Sequence, residues 1–269
     1  MRFVDIHSHI NLSPLLEKQE EVISRMKERE VGTITIGTDY ETSKLAVESA
    51  EKYPDIVLGA TVGLHPADTE ISVVPSESEG QEDRWAEFKK LANHSKVVAI
   101  GECGVDYFRN DDEYTKIRQK EIFKQHIEIA KAVDKPLMIH ARPSKGSMDA
   151  YEDVLDILEG SGLKANFHFF VGNVDIAKRA VEMGFTMSFD GPITFSEDYN
   201  EVIKFLPIES IMAETDAPFA APAPHRGKVC EPWMVEEVYG AIARIKGMDI
   251  EDVKNKINEN VRRFFYLDF

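Results

Sequence analysis

His7 and His9 stand two residues apart near the N-terminus, in the run MRFVDIHSHI. On an extended strand, residues at i and i+2 project to the same side, so two imidazoles face one point, as a divalent cation requires. Four more residues of metal-ligating type lie at or near the ends of short apolar runs: Glu102 after VVAIG, His140 after PLMI, His168 after KANF and Asp216 after IMAET. Imidazole mixed with carboxylate suits Zn²⁺, Mn²⁺, Fe²⁺ or Co²⁺, and an oxygen-richer shell with water also admits Mg²⁺. Six ligands are too many for one tetrahedral ion. They are reasonable for two divalent ions that share a bridging carboxylate, and Glu102 is the natural bridge. Such a pair supports hydrolysis, because water between two cations loses its proton near neutral pH without an activated serine or cysteine.

The elements that must position these residues follow from the spacing of apolar side chains. β-Branched and apolar runs recur at 2–7, 33–38, 56–63, 97–102, 136–141, 164–169, 185–190 and 211–216. Between them, segments such as 17–30, 42–53, 113–134, 149–160, 174–183 and 232–246 place apolar residues at three- and four-residue steps, as amphipathic helices do. Strict strand–helix alternation with eight strands predicts an α/β fold, a closed (β/α)₈ TIM barrel. A length of 269 residues fits a single domain over 1–269, with the last periodic piece, 250–266, as an additional C-terminal helix. In this arrangement the six candidates meet at the C-terminal mouth, where packing alone favours apolar or small residues. The segment 66–82 carries Asp68, Glu70, Glu77, Glu79 and Glu82 with no Lys or Arg, and its position makes it an acidic loop on that same face.

Composition narrows the partners. A net charge of −16 argues against a broad basic surface for duplex nucleic acid, so a nucleic-acid substrate has to be gripped locally. The first residues lack the apolar stretch of a secretory signal, and no later run is long enough to span a bilayer, which predicts a soluble, cytoplasmic protein with no membrane association. Cys103 and Cys230 lack a CxxC or zinc spacing and are expected to be free thiols. No obligate protein partner is evident.

The stretches DIHSHI at 5–10, VGLHP at 62–66, IGECGVDY at 100–107, PLMIHAR at 136–142, FHFFVG at 167–172, ETDAPF at 214–219 and PHRGK at 224–228 span the chain from end to end. Together they resemble the TatD family of metal-dependent deoxyribonucleases, within the amidohydrolase-like barrels. The resemblance implies that His7, His9 and Asp216 hold one metal, His140 and His168 the second, and Glu102 both, the ions being Mg, Mn or Zn. It further implies that Asp216 helps to activate water, that His65 contacts substrate phosphate as a third catalytic residue beside Glu102 and Asp216, and that Arg226, Lys228 and Arg142 bind substrate. The implied activity is 3′–5′ exonuclease-like cleavage of DNA, as single strands or strand ends. Phe169 and Val171 stand where the family usually has Cys and Ser nearby, and Val229 and Cys230 replace its usual Arg-Asn. These departures bear on substrate preference and leave the ligand positions filled.

Asp106 fits a partner that orients a ligand or an arginine. Tyr107, Phe108 and Phe170 are candidates to stack on a base. His94 and His126 fall on helices and read as solvated or core residues. Two other functions stay open on the residues alone. The same metals would serve a carboxylic ester, lactone or amide, such as an aminoacyl-tRNA, although strand four ends in Glu102 with no lysine beside it. A non-catalytic metal or nucleic-acid binding module is the other.

Overall fold

The computed structural model describes residues 1–68, 81–109 and 111–269. Most of the acidic segment at 66–82 lies outside them. The chain is a (β/α)₈ barrel whose eight strands run parallel in sequence order: β1 Phe3–Ser8, β2 Val31–Thr35, β3 Val57–Val62, β4 Val97–Asp106, β5 Leu137–Arg142, β6 Ala165–Phe167, β7 Thr186–Phe189 and β8 Ile211–Ala213. The helices between them are α1 Gln19–Glu28, α2 Tyr40–Lys52, α3 Gln81–Ala92, α4 Glu113–Val133, α5 Asp149–Leu158, α6 Val174–Glu182, α7 Asn200–Phe205 and α8 Val235–Lys246. The expected extra helix is present as α9, Ile250–Phe265. Helix α3 is the main addition to the sequence expectation. Its polar stretch QEDRWAEFKKLA hides a short apolar period in which Phe88 is buried and Trp85 and Leu91 pack on the core.

Closure of the barrel is made by the residues that carry the chemistry. The Asp216 N–H donates to the His7 carbonyl at 2.9 Å, and the His9 N–H donates to the Ala217 carbonyl at 2.7 Å. These bonds join the end of β8 to the end of β1. From outside, α8 and α9 cover the same seam. The Tyr239 hydroxyl accepts from Val4 N–H at 3.2 Å and lies 3.1 Å from the Val4 carbonyl, which accepts from it in turn. Asn260, 1% exposed, donates its amide to the carbonyls of Ile208 at 2.7 Å and Ile211 at 2.9 Å, at the entry to β8.

Strand β4 departs from regular pairing where function needs it. Ile100 pairs with Leu137 but Cys103 pairs with Ile139, so Gly101 and Glu102 form a bulge, a device that re-aims a side chain. Gly101 at φ 151° and Gly104 at φ 132° adopt backbone that favours glycine, and a Cβ at either would strike a carbonyl of β5, that of Met138 or of His140. The two glycines therefore let β4 lie close enough to β5 for Glu102 and His140 to meet.

Asn260→Ala should leave two buried carbonyls short of a donor and cost about 2 kcal/mol. Thermal unfolding followed by circular dichroism should show a fall in Tm of roughly 5 °C.

Candidate metal centre

Glu102 is buried at the centre of the barrel mouth. Its Oε1 lies 2.8 Å from His168 Nε2, 2.9 Å from His140 Nδ1 and 3.3 Å from His65 Nε2. Its Oε2 lies 3.5 Å from His7 Nε2 and 3.9 Å from His9 Nε2. Asp216 approaches the same pair from β8, its Oδ1 3.3 Å from His9 Nε2 and 3.7 Å from His7 Nε2. The backbone of Asp216 is left-handed at φ 55°, a conformation that aspartate tolerates better than most residues. The six residues singled out as ligands thus come together, and His65 joins them on the β3 side.

Among the described residues, three overlapping trios place ligand atoms within 4.8 Å of one another: His7, His168 and Asp216; His7, His9 and Glu102; and His65, Glu102 and His140. Among the described residues, both ring nitrogens of His7 and Nδ1 of His168 are buried without a hydrogen-bond partner, although buried polar atoms in native proteins are normally paired. His7 and His168 also stack face to face at 3.9 Å between ring centroids. Buried imidazoles with spare lone pairs, gathered around two carboxylates, are a donor set that fits divalent cations.

The charges of these groups are mutually determined. Burial alone pushes the Glu102 carboxyl up, but His168, His65 and His140 overcome this and hold it well below the usual carboxylate range. Burial alone lowers the His168 imidazole, yet Glu102 and Glu214 raise it well above the usual value. His7, buried beside His168, is lowered. Asp216 is lowered because its contact with His9 and the nearby His7 outweigh burial.

Around the ligands, further residues fix orientation. Asp106 Oδ2 lies 3.2 Å from His140 Nε2. Its backbone is gripped by Gln119, whose side-chain oxygen accepts from Asp106 N–H at 2.9 Å. Glu214, which the sequence reading did not single out, performs a similar task for His168. It is fully buried, accepts from Ser188 Oγ at 2.6 Å and from Phe169 N–H at 2.5 Å, and faces His168 Nδ1 at 3.4 Å. Its signal was its place two residues before Asp216, the spacing that marks His7 and His9. Asp190 was also missed. It closes β7 with both carboxylate oxygens buried and, among the described residues, unpartnered, and burial, then Glu214 and Asp216, push its pKa well up.

His65 Nδ1 accepts from Ala67 N–H at 3.0 Å, which puts the proton of the neutral ring on Nε2, toward the cavity. His126 is a core residue, 1% exposed. Its Nδ1 donates to the Ile122 carbonyl at 2.9 Å and its Nε2 accepts from Leu64 N–H at 2.9 Å, which anchors the segment that carries His65. Of the three aromatics considered for stacking, Tyr107 and Phe170 are buried at 1% exposure and belong to the core, whereas Phe108 is 54% exposed.

A cavity of about 800 Å³ opens above the ligands, lined by His9, His65, Glu102, His140, His168 and Asp216 at its base and by Arg109, Arg142 and Lys145 on one wall. Arg226 and Lys228 are exposed in the loop after β8, outside this lining, with Arg226 over the Phe195 ring at 3.8 Å. Among the described residues no helix is long and apolar enough to cross a membrane.

A family model described as TatD related DNase matches residues 4–266. YabD of Bacillus subtilis, named an uncharacterized metal-dependent hydrolase, is 38% identical over 270 residues, covering 98% of this chain and 99% of its own. An uncharacterized metal-dependent hydrolase of Methanocaldococcus jannaschii is 33% identical over 98% of this chain and 97% of its own. Among solved structures, the TatD homolog YjjV from Escherichia coli superposes with a TM-score of 0.86 at 23% identity, covering 99% of both chains.

Glu214→Gln keeps the shape of the side chain but removes the charge that faces His168. It should weaken divalent-metal binding about 10–100-fold, as loss of a carboxylate that orients a ligand does, measured by titration calorimetry on the folded protein. His126 supplies a pH test. Burial lowers its pKa from 6.5 to about 4, so between these values the unfolded chain binds the proton and the folded chain does not. Its contribution is full above pH 6.5 and is lost as the pH falls toward 4. The urea stability of the wild type relative to His126→Gln should therefore shrink by about 3 kcal/mol across that window.

Proposed function

This chain belongs to the TatD-related DNase family of metal-dependent hydrolases, and from that premise we propose that it hydrolyses phosphodiester bonds of DNA, taking single strands or strand ends. One observation carries the substrate choice. In a chain of net charge −16, the charged residues lining the cavity among the described residues are Arg109, Arg142, Lys145, Glu102 and Asp216, and both acids are candidate metal ligands. The free wall is therefore cationic, which suits an anionic ester better than a neutral one.

In this reading His7, His9 and Asp216 hold one divalent ion, His140 and His168 a second, and Glu102 both. Bound there, divalent ions polarise the phosphate and acidify water. The protein's own groups do the rest. Asp216, whose side chain keeps 15% of its surface accessible, offers a carboxylate oxygen to take the proton of the attacking water. His65 presents its Nε2–H to a phosphate oxygen, held in that tautomer by Ala67. Asp106 and Glu214 keep the His140 and His168 rings from rotating as the substrate arrives. Arg142 supplies a planar set of donors suited to phosphate, and Arg226 and Lys228 extend the grip to a strand that leaves the cavity over the β8 loop.

Labelled single-stranded and duplex DNA, incubated with Mg²⁺, Mn²⁺ or EDTA, should be cleaved only with metal, and Glu102→Ala and Asp216→Ala should each reduce the rate at least about 100-fold. A carboxylic ester assayed in parallel separates the alternatives. Turnover of the ester with no cleavage of any DNA would sink the phosphodiesterase reading.

A further inference from the structure

We propose that the Phe108 ring, with the Arg142 guanidinium over one face, is a stacking platform for one unpaired base of the strand whose phosphate enters the cavity. This rests on the phosphodiesterase reading and deepens it by naming what selects single strands.

Phe108 lies just beyond the C-terminal end of β4 and lines the cavity while remaining 54% exposed. An aromatic ring this exposed does not stabilise the fold by burial, and its neighbours show the contrast. Tyr107 is packed away, its hydroxyl donating to Asp153 at 2.7 Å and its ring covered by Lys116 at 4.5 Å. Phe108 is presented outward by a tight turn, in which Asp106 Oδ1 accepts from the N–H groups of Phe108 at 3.1 Å and Arg109 at 3.2 Å. The other oxygen of that carboxylate faces His140, so the ring is tied through a single side chain to a candidate metal ligand.

The Arg142 guanidinium lies 4.1 Å from the Phe108 centroid. Among the described residues it forms no hydrogen bond or ion pair, so its N–H donors are available to a phosphate. Arg109 and Lys145 flank it on the same wall. Bases stack on aromatic rings and on guanidinium planes, and an arginine beside the ring adds attraction for the backbone that carries the base. Across the mouth, after β8, Phe219 is 56% exposed on the cavity, near His9. A cavity of about 800 Å³ is of the size that takes a small ligand; it accommodates one or two nucleotides. A base held in a duplex has both faces stacked and its edge paired, so it has to leave the helix before it can lie on Phe108.

The experiment compares wild type, Phe108→Ala and Phe108→Trp on an oligothymidylate and on the same strand with one abasic residue beside the scissile bond, with Mn²⁺ present. Phe108→Ala should raise KM for the intact strand roughly tenfold, with the loss on KM rather than kcat, and Phe108→Trp should restore it. The abasic residue should raise the wild-type KM by a similar factor and add nothing in Phe108→Ala. An unchanged KM in Phe108→Ala, or an abasic penalty equal in the two proteins, overturns the platform. Binding of the fluorescein-labelled strands in EDTA, read by anisotropy, tests the platform without turnover, and a roughly tenfold weaker Kd for Phe108→Ala is expected there as well. If wild type binds and discriminates these strands but cleaves none, the phosphodiesterase reading fails and the platform stands. Equal Kd values overturn the platform even if cleavage is observed.

Discussion

A carboxylate taken out of water needs positive or hydrogen-bonding partners at contact distance, and in this barrel that requirement is concentrated on Glu102. Imidazoles from three different strand ends and from the segment after β3 converge on its two oxygens. The groups cannot all be satisfied by one another, because His7 retains two buried ring nitrogens with no hydrogen-bond partner. The cluster is thus assembled by the fold into a state that the protein alone leaves incomplete. That is how a site prepared for cations differs from an ordinary buried polar network, in which every member is paired.

Much of the surrounding architecture serves this convergence. The β4 bulge and its glycines bring Glu102 toward β5, and Asp106 then holds His140 from the same strand. On the opposite side, a polar column runs up the barrel interior from Thr186 through Asn166 and Ser188 to Glu214, ending on His168. The seam between β8 and β1 is closed by backbone bonds of His7, His9, Asp216 and Ala217 themselves. Closure and ligand geometry are therefore one event: a barrel that failed to seal there would also separate Asp216 from the two histidines.

The sequence was legible where a local rule sufficed. Alternation of apolar runs revealed the eight strands, and metal-type residues near strand ends stood out because packing does not call for them there. It was illegible where neighbours in sequence diverge in space. Tyr107 and Phe108 are adjacent aromatics, and only the turn held by Asp106 decides that one enters the core and the other faces the cavity. Glu214 and Asp190 look like unremarkable acids until burial and their neighbours are known. His126 read as a solvated or core residue, and its bond to Leu64, which makes it core, depends on how α4 lies against the end of β3. Helix α3 was hidden by its charged faces, since an apolar period of only a few residues is easily lost among Glu and Lys.

Net charge and local charge act over different ranges, and this reconciles an acidic protein with the anionic substrate proposed for it. At physiological ionic strength the field of exposed charges is screened within about 8 Å, so the −16 of the whole chain governs approach from a distance only weakly. At the cavity wall, Arg109, Arg142 and Lys145 act at contact range, inside the screening length. An acidic exterior thus disfavours long footprints along a duplex but leaves a short, cationic entry open to one or two nucleotides. The proposed selectivity for strand ends would then arise from where the positive charges are placed and does not require a basic surface.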